Sequence, residues 1–338
     1  MNKQALEAIA QAMVADGKGI LAADESTGTI KKRFDNINVE STADSRRDYR
    51  EMLFRTEAAM REHISGVILF DETLRQKAAD GTPLAQLIAD AGSMPGIKVD
   101  GGAKDLAGHA GEMVTEGLDG LRERLAEYHG LGAKFAKWRA VINIADGIPS
   151  AACLTANTHA LARYASLCQE AEIVPIVEPE VIMDGSHSVE RCYEVTSAAL
   201  TQLYAQLAEQ DVHLEGTILK PNMVVSGTAH AEQAGVQQVA EMTLDCFKKC
   251  VPEAVPGIVF LSGGQSDEDA TAHLDAMNKI GGLPWKLSFS YGRALQAAPL
   301  KTWLGDAGNV ADAQAAFAHR AKMNGLAAQG AWDTAMEG

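Results

Sequence analysis

The sequence lacks the features of a membrane protein and of a disulfide-stabilised secreted protein. No stretch approaches the roughly 18 consecutive apolar residues that a membrane-spanning helix requires. The five cysteines are an odd number and include no CxxC pair, which favours reduced thiols and a cytoplasmic location. Leu6, Ile9, Ala10 and Met13 share one helical face, with Glu7 among them. We therefore expect an amphipathic helix at the amino terminus and not a signal peptide.

The sequence has few basic residues relative to acidic ones. It contains 30 Lys and Arg and 45 Asp and Glu, which give a formal net charge of -15. This balance argues against nonspecific nucleic-acid binding and against attachment to an anionic membrane surface. It does not argue against a small anionic ligand, which responds to local charge. The nine histidines are scattered, without an HExxH motif, so their spacing does not favour a metal site.

Short apolar runs rich in β-branched residues recur eight times along the 338 residues. Unbroken apolar runs are typical of a parallel sheet that is covered on both faces. Helical patterns separate the runs, and the GxGxxG turn of the competing open doubly wound sheet is absent after the first run. The sequence therefore predicts one domain over residues 1–338, a (β/α)₈ TIM barrel with extra N-terminal and C-terminal helices. The predicted strands are residues 19–24, 66–71, 96–100, 135–142, 174–181, 217–223, 257–263 and 287–292.

Small polar residues predict where several of the helices begin. A side-chain oxygen at such a position accepts a hydrogen bond from a free N–H of the first helical turn. The predicted starts are Ser41 or Thr42, Asn157, Ser188, Ser266 and Asn309.

Charged and hydroxyl residues stand where the predicted strands end. Side chains two apart on a strand point the same way, which aligns Lys137 with Arg139 and Glu178 with Glu180. A single charge at a strand end is usually a solvated residue that starts a loop. However, both signs recur on most strands, and the carboxyl ends of barrel strands carry the active site, so we expect these charges to converge on one opening. The other polar residues at strand ends are Asp24, Lys98, Asp100, Lys220, Ser262, Ser290 and Arg293.

Lys220 is the candidate nucleophile. Pro221 follows it and pushes it into the extended conformation at the end of its strand. A lysine among apolar neighbours and near a second cation, such as Lys137, loses part of its proton affinity. The neutral amine attacks a carbonyl to form a Schiff base, and Glu178 and Asp24 could then move protons. The alternative, favoured for this lysine in isolation, is a structural ion pair with Glu178 across the barrel.

Two glycine-containing turns favour a phosphate site. One is residues 262–266, between the seventh strand and a helix start, and the other is residues 290–293, which end the eighth strand. Exposed backbone N–H groups, a helix N-terminus and an arginine fork all suit an oxyanion. A Gly-Gly turn alone is usually only a turn. Two such turns on adjacent strands match the position at which this barrel commonly binds phosphate.

Nine motifs occur in order along the chain. They are LAADESTGTIKKR (21–33), GVILFDETL (66–74), GIKVD (96–100), FAKWR (135–139), LARYASLCQ (161–169), VPIVEPE (174–180), LKPNMV (219–224), FLSGGQS (260–266) and FSYGRALQ (289–296). Together they resemble class I fructose-1,6-bisphosphate aldolase, over about residue 5 to residue 330. The resemblance implies a (β/α)₈ barrel that acts as a homotetramer on a phosphorylated sugar. It also implies cleavage of fructose 1,6-bisphosphate through a lysine Schiff base, with no metal and no other cofactor.

The resemblance also implies roles for single residues. Lys220 would form the Schiff base, Glu178 would be the acid and base that dehydrates the carbinolamine, and Asp24 would assist C–C cleavage. Lys137 would hold the substrate and support charge near the Schiff base, with Glu180 nearby. The residues expected at the C1 phosphate are Ser262, Gly263, Gly292 and Arg293. Those expected toward the C6 phosphate are Lys98, Arg139, Ser26, Thr29 and Arg33.

The sequence departs from the family pattern at two places. Gly101 stands where the family has a basic residue, so we expect a modest loss of positive potential near Lys98. Animal members carry a longer tail that ends in tyrosine, whereas no tyrosine follows Tyr291 here. We therefore expect another group, or a slower step, for proton exchange on the enamine. Two other functions remain open: a lysine aldolase that prefers sedoheptulose 1,7-bisphosphate, and a noncatalytic scaffold on the same fold.

Overall fold

Eight parallel strands close into a barrel in the computed structural model, which describes residues 1–338. The strands in chain order are β1 (Gly19–Ala23), β2 (Ile64–Leu69), β3 (Met94–Lys98), β4 (Ala103–Asp105), β5 (Met113–Thr115), β6 (Phe135–Ile142), β7 (Val174–Val181), β8 (Ile218–Leu219), β9 (Gly257–Phe260) and β10 (Lys286–Tyr291). Around the barrel the order is β1, β10, β9, β8, β7, β6, β3 and β2, which pairs with β1 again. β4 and β5 form a separate antiparallel hairpin that the sequence did not predict. The predicted barrel and its eight strands are confirmed.

Thirteen α-helices surround the barrel or extend beyond it. They are α1 (Lys3–Met13), α2 (Thr27–Asp35), α3 (Ala43–Phe54), α4 (Glu57–Glu62), α5 (Asp71–Arg75), α6 (Leu84–Asp90), α7 (Leu121–Gly130), α8 (Ala151–Glu170), α9 (Val189–Glu209), α10 (Val236–Cys250), α11 (Asp267–Ile280), α12 (Arg293–Trp303) and α13 (Val310–Ala327). Short 3₁₀ turns lie at Leu214–Gly216, Ala307–Asn309 and Thr334–Glu337. α1 precedes the first strand and α13 follows the last barrel helix, as predicted. None of the helices has both the length and the apolar content needed to cross a membrane.

Most of the predicted helix starts are confirmed, but the one at Asn157 is wrong. The starts confirmed with a side-chain cap, each directly before its helix, are Thr42, Ser188 and Ser266. Asn309 also directly precedes its helix, but its side chain makes no cap hydrogen bond. α8 already begins at Ala151, behind the side-chain cap of Ser150. Asn157 is buried within α8, where its amide binds backbone groups of Met113 and Thr115 in β5. Its polar side chain therefore holds the hairpin instead of capping a helix.

The side chains that point into the barrel change from apolar to charged along the strands. On β6, Phe135 is followed two residues later by Lys137, and on β7, Ile176 is followed by Glu178. Phe135 and Ile176 belong to the apolar cluster inside the barrel, whereas Lys137 and Glu178 line the cavity above it. Because strand side chains alternate between faces, the spacing of two residues keeps all four on the inner surface.

Helix α1 closes the amino ends of the strands. Its buried residues Leu6, Ala10 and Met13 pack into the same apolar cluster as Phe135 and Ile176. This is the amphipathic face that the sequence predicted. The closed end gives the barrel a dry floor, so the charged groups meet solvent only on the opposite side.

The floor also depends on glycines that leave room for the Phe135 ring. A Cβ atom added at Gly96 would lie 2.3 Å from Phe135 Cε2, and one at Gly66 would lie 2.7 Å from Phe135 Cε1. Real Cβ atoms do not approach carbon so closely, and a packed barrel interior has little freedom to shift. The two glycines are therefore required by packing and not by backbone conformation.

We expect Gly96→Ala to destabilise the protein by about 1–3 kcal/mol, because the added methyl group overpacks the barrel floor. Denaturant unfolding followed by circular dichroism measures the change. The matched control is Gly130→Ala at the end of α7, where an added Cβ meets nothing within 4 Å. Alanine is the better helix former, so the control should keep or slightly raise stability. Equal loss in both variants would contradict this account.

Candidate active site

A cavity of 660 Å³ opens at the carboxyl ends of the barrel strands. Every barrel strand contributes a lining residue, either from its last positions or from the residue directly after it. All residues that the sequence assigned to the site line this one cavity. They are Asp24, Ser26, Thr29, Arg33, Lys98, Lys137, Arg139, Glu178, Glu180, Lys220, Ser262, Gly263, Gly292 and Arg293. The predicted convergence of the strand-end charges is therefore observed.

Four charged side chains of alternating sign form a row at the bottom of the cavity. Lys137 Nζ lies 2.7 Å from Asp24 Oδ2 and 3.3 Å from Glu178 Oε2. Glu178 Oε1 in turn lies 3.2 Å from Lys220 Nζ. The side chains of Lys137, Glu178 and Lys220 are at most 5% exposed. The ion pair between Lys220 and Glu178, which the sequence analysis gave as the alternative to a nucleophilic role, is present as one part of this row.

The surroundings of Asp24 and Lys137 favour the charged form of both groups. Burial opposes ionisation of Asp24, but Lys137 and then Lys220 outweigh it and lower the pKa of Asp24 below its ordinary value. Burial likewise opposes the charge on Lys137, but Asp24 and then Glu178 raise its pKa above the ordinary value. Near neutral pH, Asp24 is therefore a carboxylate and Lys137 an ammonium group.

One carboxylate oxygen of Glu178 has no hydrogen-bond partner. Its Oε2 atom is buried and makes no hydrogen bond, although it lies within ion-pair distance of Lys137. A buried acceptor without a hydrogen-bond partner is uncommon and calls for an explanation. The other oxygen, Oε1, is the one within reach of Lys220.

A second group of charges forms one wall of the cavity. Arg139 Nε donates to Glu180, and the Arg139 backbone N–H donates to Asp100 Oδ2 at 3.2 Å. Lys98 Nζ lies 2.6 Å from Asp100 Oδ1. The two cations on this wall are thus oriented by two acids. Gly101, which replaces a basic residue of the family pattern, also lines this part of the cavity.

The glycine turns expected at the C1 phosphate lie together on the opposite side. Gly263 has a φ of +56°, which a residue with a Cβ rarely adopts. Arg293, which is exposed to the cavity, donates to the Gly263 carbonyl. Arg33 was expected toward the C6 phosphate, but its Nη2 atom lies only 3.8 Å from the Cβ position of Gly292. Arg33 can therefore also reach an anion on this side. Ser26 and Thr29, both at the amino end of α2, share a hydrogen bond between their hydroxyls at 3.1 Å.

Sequence reasoning missed the groups that hold Arg33. Glu25 Oε1 accepts from Arg33 at 2.6 Å and from Gln296 at 2.8 Å. Arg50 of α3, only 1% exposed, donates to the Glu25 carbonyl at 2.9 Å. Glu25 directly follows Asp24, so a second acid at that strand end was a usable signal. Nothing in the local sequence of α3 or α12 indicates that Arg50 and Gln296 point toward this loop.

Thiols and imidazoles take no part in the cavity. None of its lining residues is a cysteine or a histidine, and all five cysteines are free. Burial raises the pKa of the Cys153 thiol to about 11, which keeps it neutral. No group of three or more His, Cys, Asp or Glu side chains has the arrangement to hold a metal ion, so we assign no residue to metal binding.

Comparisons with known proteins agree over nearly the whole chain. The family model for the glycolytic fructose-bisphosphate aldolase class-I matches residues 5–338. A probable fructose-bisphosphate aldolase class 1 of Xanthomonas campestris is 61% identical over 333 residues, which cover 98% of this chain and 99% of that protein. The muscle-type fructose-bisphosphate aldolase of Lethenteron camtschaticum is 51% identical over 330 residues, covering 97% of this chain and 91% of that protein.

A solved structure gives the same result for the fold. The fructose-bisphosphate aldolase of Plasmodium falciparum superposes with a TM-score of 0.96 at 47% identity, covering 98% of this chain and 96% of that one. The family match, the relatives and the barrel with its lysine-containing cavity all agree. This chain belongs to the class I fructose-bisphosphate aldolase family.

Proposed function

We propose that this protein is a lyase that reversibly cleaves fructose 1,6-bisphosphate to dihydroxyacetone phosphate and glyceraldehyde 3-phosphate. The reaction proceeds through a Schiff base on Lys220. The observation that carries the proposal is the buried row Lys220, Glu178, Lys137 and Asp24, set between anion-binding groups on both sides of one cavity. Family membership supports the same substrate.

Schiff-base formation is assigned to Lys220 and Glu178. Lys220 transfers a proton to Glu178, which lies 3.2 Å away, and the neutral amine attacks the C2 ketone of the open-chain sugar. Glu178 then protonates the hydroxyl of the carbinolamine, and water leaves. Lys137 suits the first step poorly as a nucleophile, because its two acidic neighbours raise its pKa and keep it protonated.

Carbon–carbon cleavage is assigned to Asp24 with Lys137. The protonated imine accepts the electron pair of the C3–C4 bond while the C4 hydroxyl loses its proton toward Asp24. The Lys137 ammonium stabilises the negative charge that develops on that oxygen. Glyceraldehyde 3-phosphate leaves, the enamine is protonated at C3, and water releases dihydroxyacetone phosphate and frees Lys220. Each positioned proton transfer typically contributes about 10²–10⁴-fold to the rate.

The two phosphates orient the substrate across the cavity. We assign the C1 phosphate to the two glycine turns and the C6 phosphate to the cations of the opposite wall together with the amino end of α2. Holding both ends fixes C2 over Lys220, and such orientation can supply several kcal/mol of a reaction barrier. The residues assigned to the C1 phosphate are Ser262, Gly263, Gly292 and Arg293. Those assigned to the C6 phosphate are Lys98, Arg139, Ser26 and Thr29, with Arg33 between the two groups.

The sequence interpretation extends to assembly and location. We infer a single-domain chain that forms a cytoplasmic homotetramer and needs no metal, as the resemblance to class I aldolases implies. Light scattering in solution should give four times the mass of one chain. A monomeric mass in an active preparation would overturn the tetramer and leave the chemistry as proposed.

A related lysine aldolase specific for sedoheptulose 1,7-bisphosphate would use the same row of charges, and a noncatalytic scaffold could keep the same fold. A coupled cleavage assay with both bisphosphates separates these alternatives. Faster turnover of fructose 1,6-bisphosphate supports the proposal. Preference for the heptulose bisphosphate would select the first alternative, and no cleavage of either would select the scaffold.

Lys220→Met should abolish cleavage, because thioether sulfur cannot form an imine. In the wild-type protein, borohydride with substrate should leave a covalent adduct on Lys220 that peptide mass spectrometry locates, and EDTA should not prevent it. Lys286→Met is the control, since Lys286 is exposed at the other end of the barrel and pairs with Asp16 at 2.7 Å. It should keep both activity and adduct.

Two outcomes would contradict this assignment. Cleavage retained by Lys220→Met, with a circular dichroism spectrum like that of the wild type, would place the nucleophile elsewhere. An active enzyme that forms no adduct and loses activity in EDTA would indicate metal-assisted enolate chemistry.

Asp24→Asn should slow cleavage by about 10²–10⁴-fold, because the amide cannot accept the C4 proton. Borohydride trapping on Lys220 should persist, since Asp24 acts after imine formation. Single-turnover assays measure cleavage and mass spectrometry measures the adduct. A variant that loses both to the same degree would show that Asp24 serves the first step or the fold.

Arg293→Ala should raise the KM for fructose 1,6-bisphosphate about 10-fold or more, the effect of losing one charge-assisted hydrogen bond. The value of kcat should fall less, because Arg293 is remote from the reacting bond in this assignment. Arg61→Ala is the control, since its side chain is 60% exposed on α4. An unchanged KM in Arg293→Ala would contradict the phosphate role.

A further inference from the structure

Met183 lies directly against the turn of Ser262, Gly263 and Gly264. The Gly264 N–H donates to Met183 Sδ at 2.8 Å. A Cβ atom placed on Gly263 would lie 3.0 Å from the same sulfur, and one on Gly264 would lie 3.3 Å from it. The thioether therefore covers both glycines and leaves no space for a further atom between them and the sulfur.

The backbone that carries Met183 is fixed by the neighbouring loop. Thr228 N–H donates to the Met183 carbonyl at 2.8 Å, and Ala229 N–H donates to the Gly185 carbonyl at 2.8 Å. These bonds join the loop after β7 to the loop after β8. The first loop follows the strand that carries Glu178, and the second follows the strand end that carries Lys220. Met183 cannot move away from the turn without breaking them or changing its own side-chain rotamer.

Two side chains therefore make hydrogen bonds to the backbone of this turn. Arg293 holds the Gly263 carbonyl, and Met183 holds the next N–H along the chain. The Gly263 carbonyl and the Gly264 N–H belong to one peptide unit. The Gly263 N–H, which comes just before that unit in the chain, donates to no backbone carbonyl, and Gly263, unlike Gly264, lines the cavity. The sulfur thus fixes the peptide unit that follows the Gly263 N–H, and Ser262 and Gly263 both line the cavity at the position proposed for the C1 phosphate.

We propose that Met183 is an oxidation site through which a peroxide weakens phosphate binding, an inference that rests on the proposed function. Met183 is half-buried and is one of the six methionines, of twelve, that are not buried, so a small peroxide can reach it. The sulfur attacks the peroxide, so the O–O bond breaks and an S–O bond forms. Sulfur gives up two electrons, and the peroxide leaves as water or an alcohol.

Oxidation to the sulfoxide changes both the strength of the hydrogen bond to Gly264 and the distance between the sulfur and the turn. Its oxygen is a far stronger hydrogen-bond acceptor than the thioether, so it binds the Gly264 N–H more tightly. To accept that hydrogen bond, the oxygen has to lie between the sulfur and the Gly264 nitrogen, which are only 2.8 Å apart before oxidation, so the turn and the sulfur move apart. The Gly263 N–H then no longer faces the phosphate, and one charge-assisted hydrogen bond is lost.

The test treats the full-length wild-type protein with hydrogen peroxide and locates the sulfoxide by peptide mass spectrometry. Oxidation of Met183 should raise the KM for fructose 1,6-bisphosphate about 10-fold and change kcat less. Calorimetry should show the same loss of affinity for a hexitol 1,6-bisphosphate, which has no ketone and cannot form an imine. Methionine sulfoxide reductase should restore both values, whereas dithiothreitol alone, which reverses disulfide formation, should not.

Met183→Leu should resist the peroxide effect, and the control Met242→Leu should remain sensitive, since Met242 is a half-buried methionine of α10 outside the cavity. Peroxide that raises the KM of Met183→Leu as much as that of the wild type would overturn the inference. So would a stoichiometric sulfoxide at Met183 with an unchanged KM and unchanged hexitol affinity. An untreated protein that cleaves no bisphosphate would overturn the proposed function instead, and the calorimetric arm would still decide the role of Met183.

Discussion

The arrangement of charges in the cavity depends on the two ion pairs that the Lys137 ammonium group makes. This group lies between Asp24 and Glu178 in a nearly dry environment, where two neighbouring acids would repel each other without it. Removing one member of a buried charged pair leaves an uncompensated charge, which is far more costly than the pair itself. Lys137 therefore keeps Asp24 ionised and fixes Glu178 beside Lys220, so that one cation orients the groups assigned to both halves of the reaction.

The barrel stabilises this row of charges because its apolar and charged layers are separate. Phe135 and helix α1 close the amino end of the barrel, and the charged row begins one inward position later on the same strands. The closed floor lets water approach the row only through the cavity, where a substrate would displace it. Charges in such a site act on one another more strongly than they would in bulk water. The same geometry leaves the cationic side chains of both walls free to meet the two phosphates.

Much of this was predictable from the order of residue types. The eight apolar runs predicted the strands. The spacing of two residues predicted that Lys137 and Arg139 share one face of their strand, and that Glu178 and Glu180 do the same. The hairpin β4–β5 was missed because its short strands, AKD and MVT, lie outside the apolar runs that marked the barrel strands. Asn157 was misread because a polar residue within a helix and a polar residue before one look alike until the hairpin that it binds is known.

The sequence by itself determined the barrel, the family and many of the residues that line the cavity, since these follow from local periodicity and from motifs that lie along the chain. Only the tertiary structure decided which charges pair, because pairing depends on the distance between side chains from different strands. It showed that Lys137 and not Lys220 lies next to Asp24, and that Arg50 supports the loop at Glu25. It also placed the Met183 sulfur on Gly264, a contact between residues 81 positions apart that no local pattern encodes.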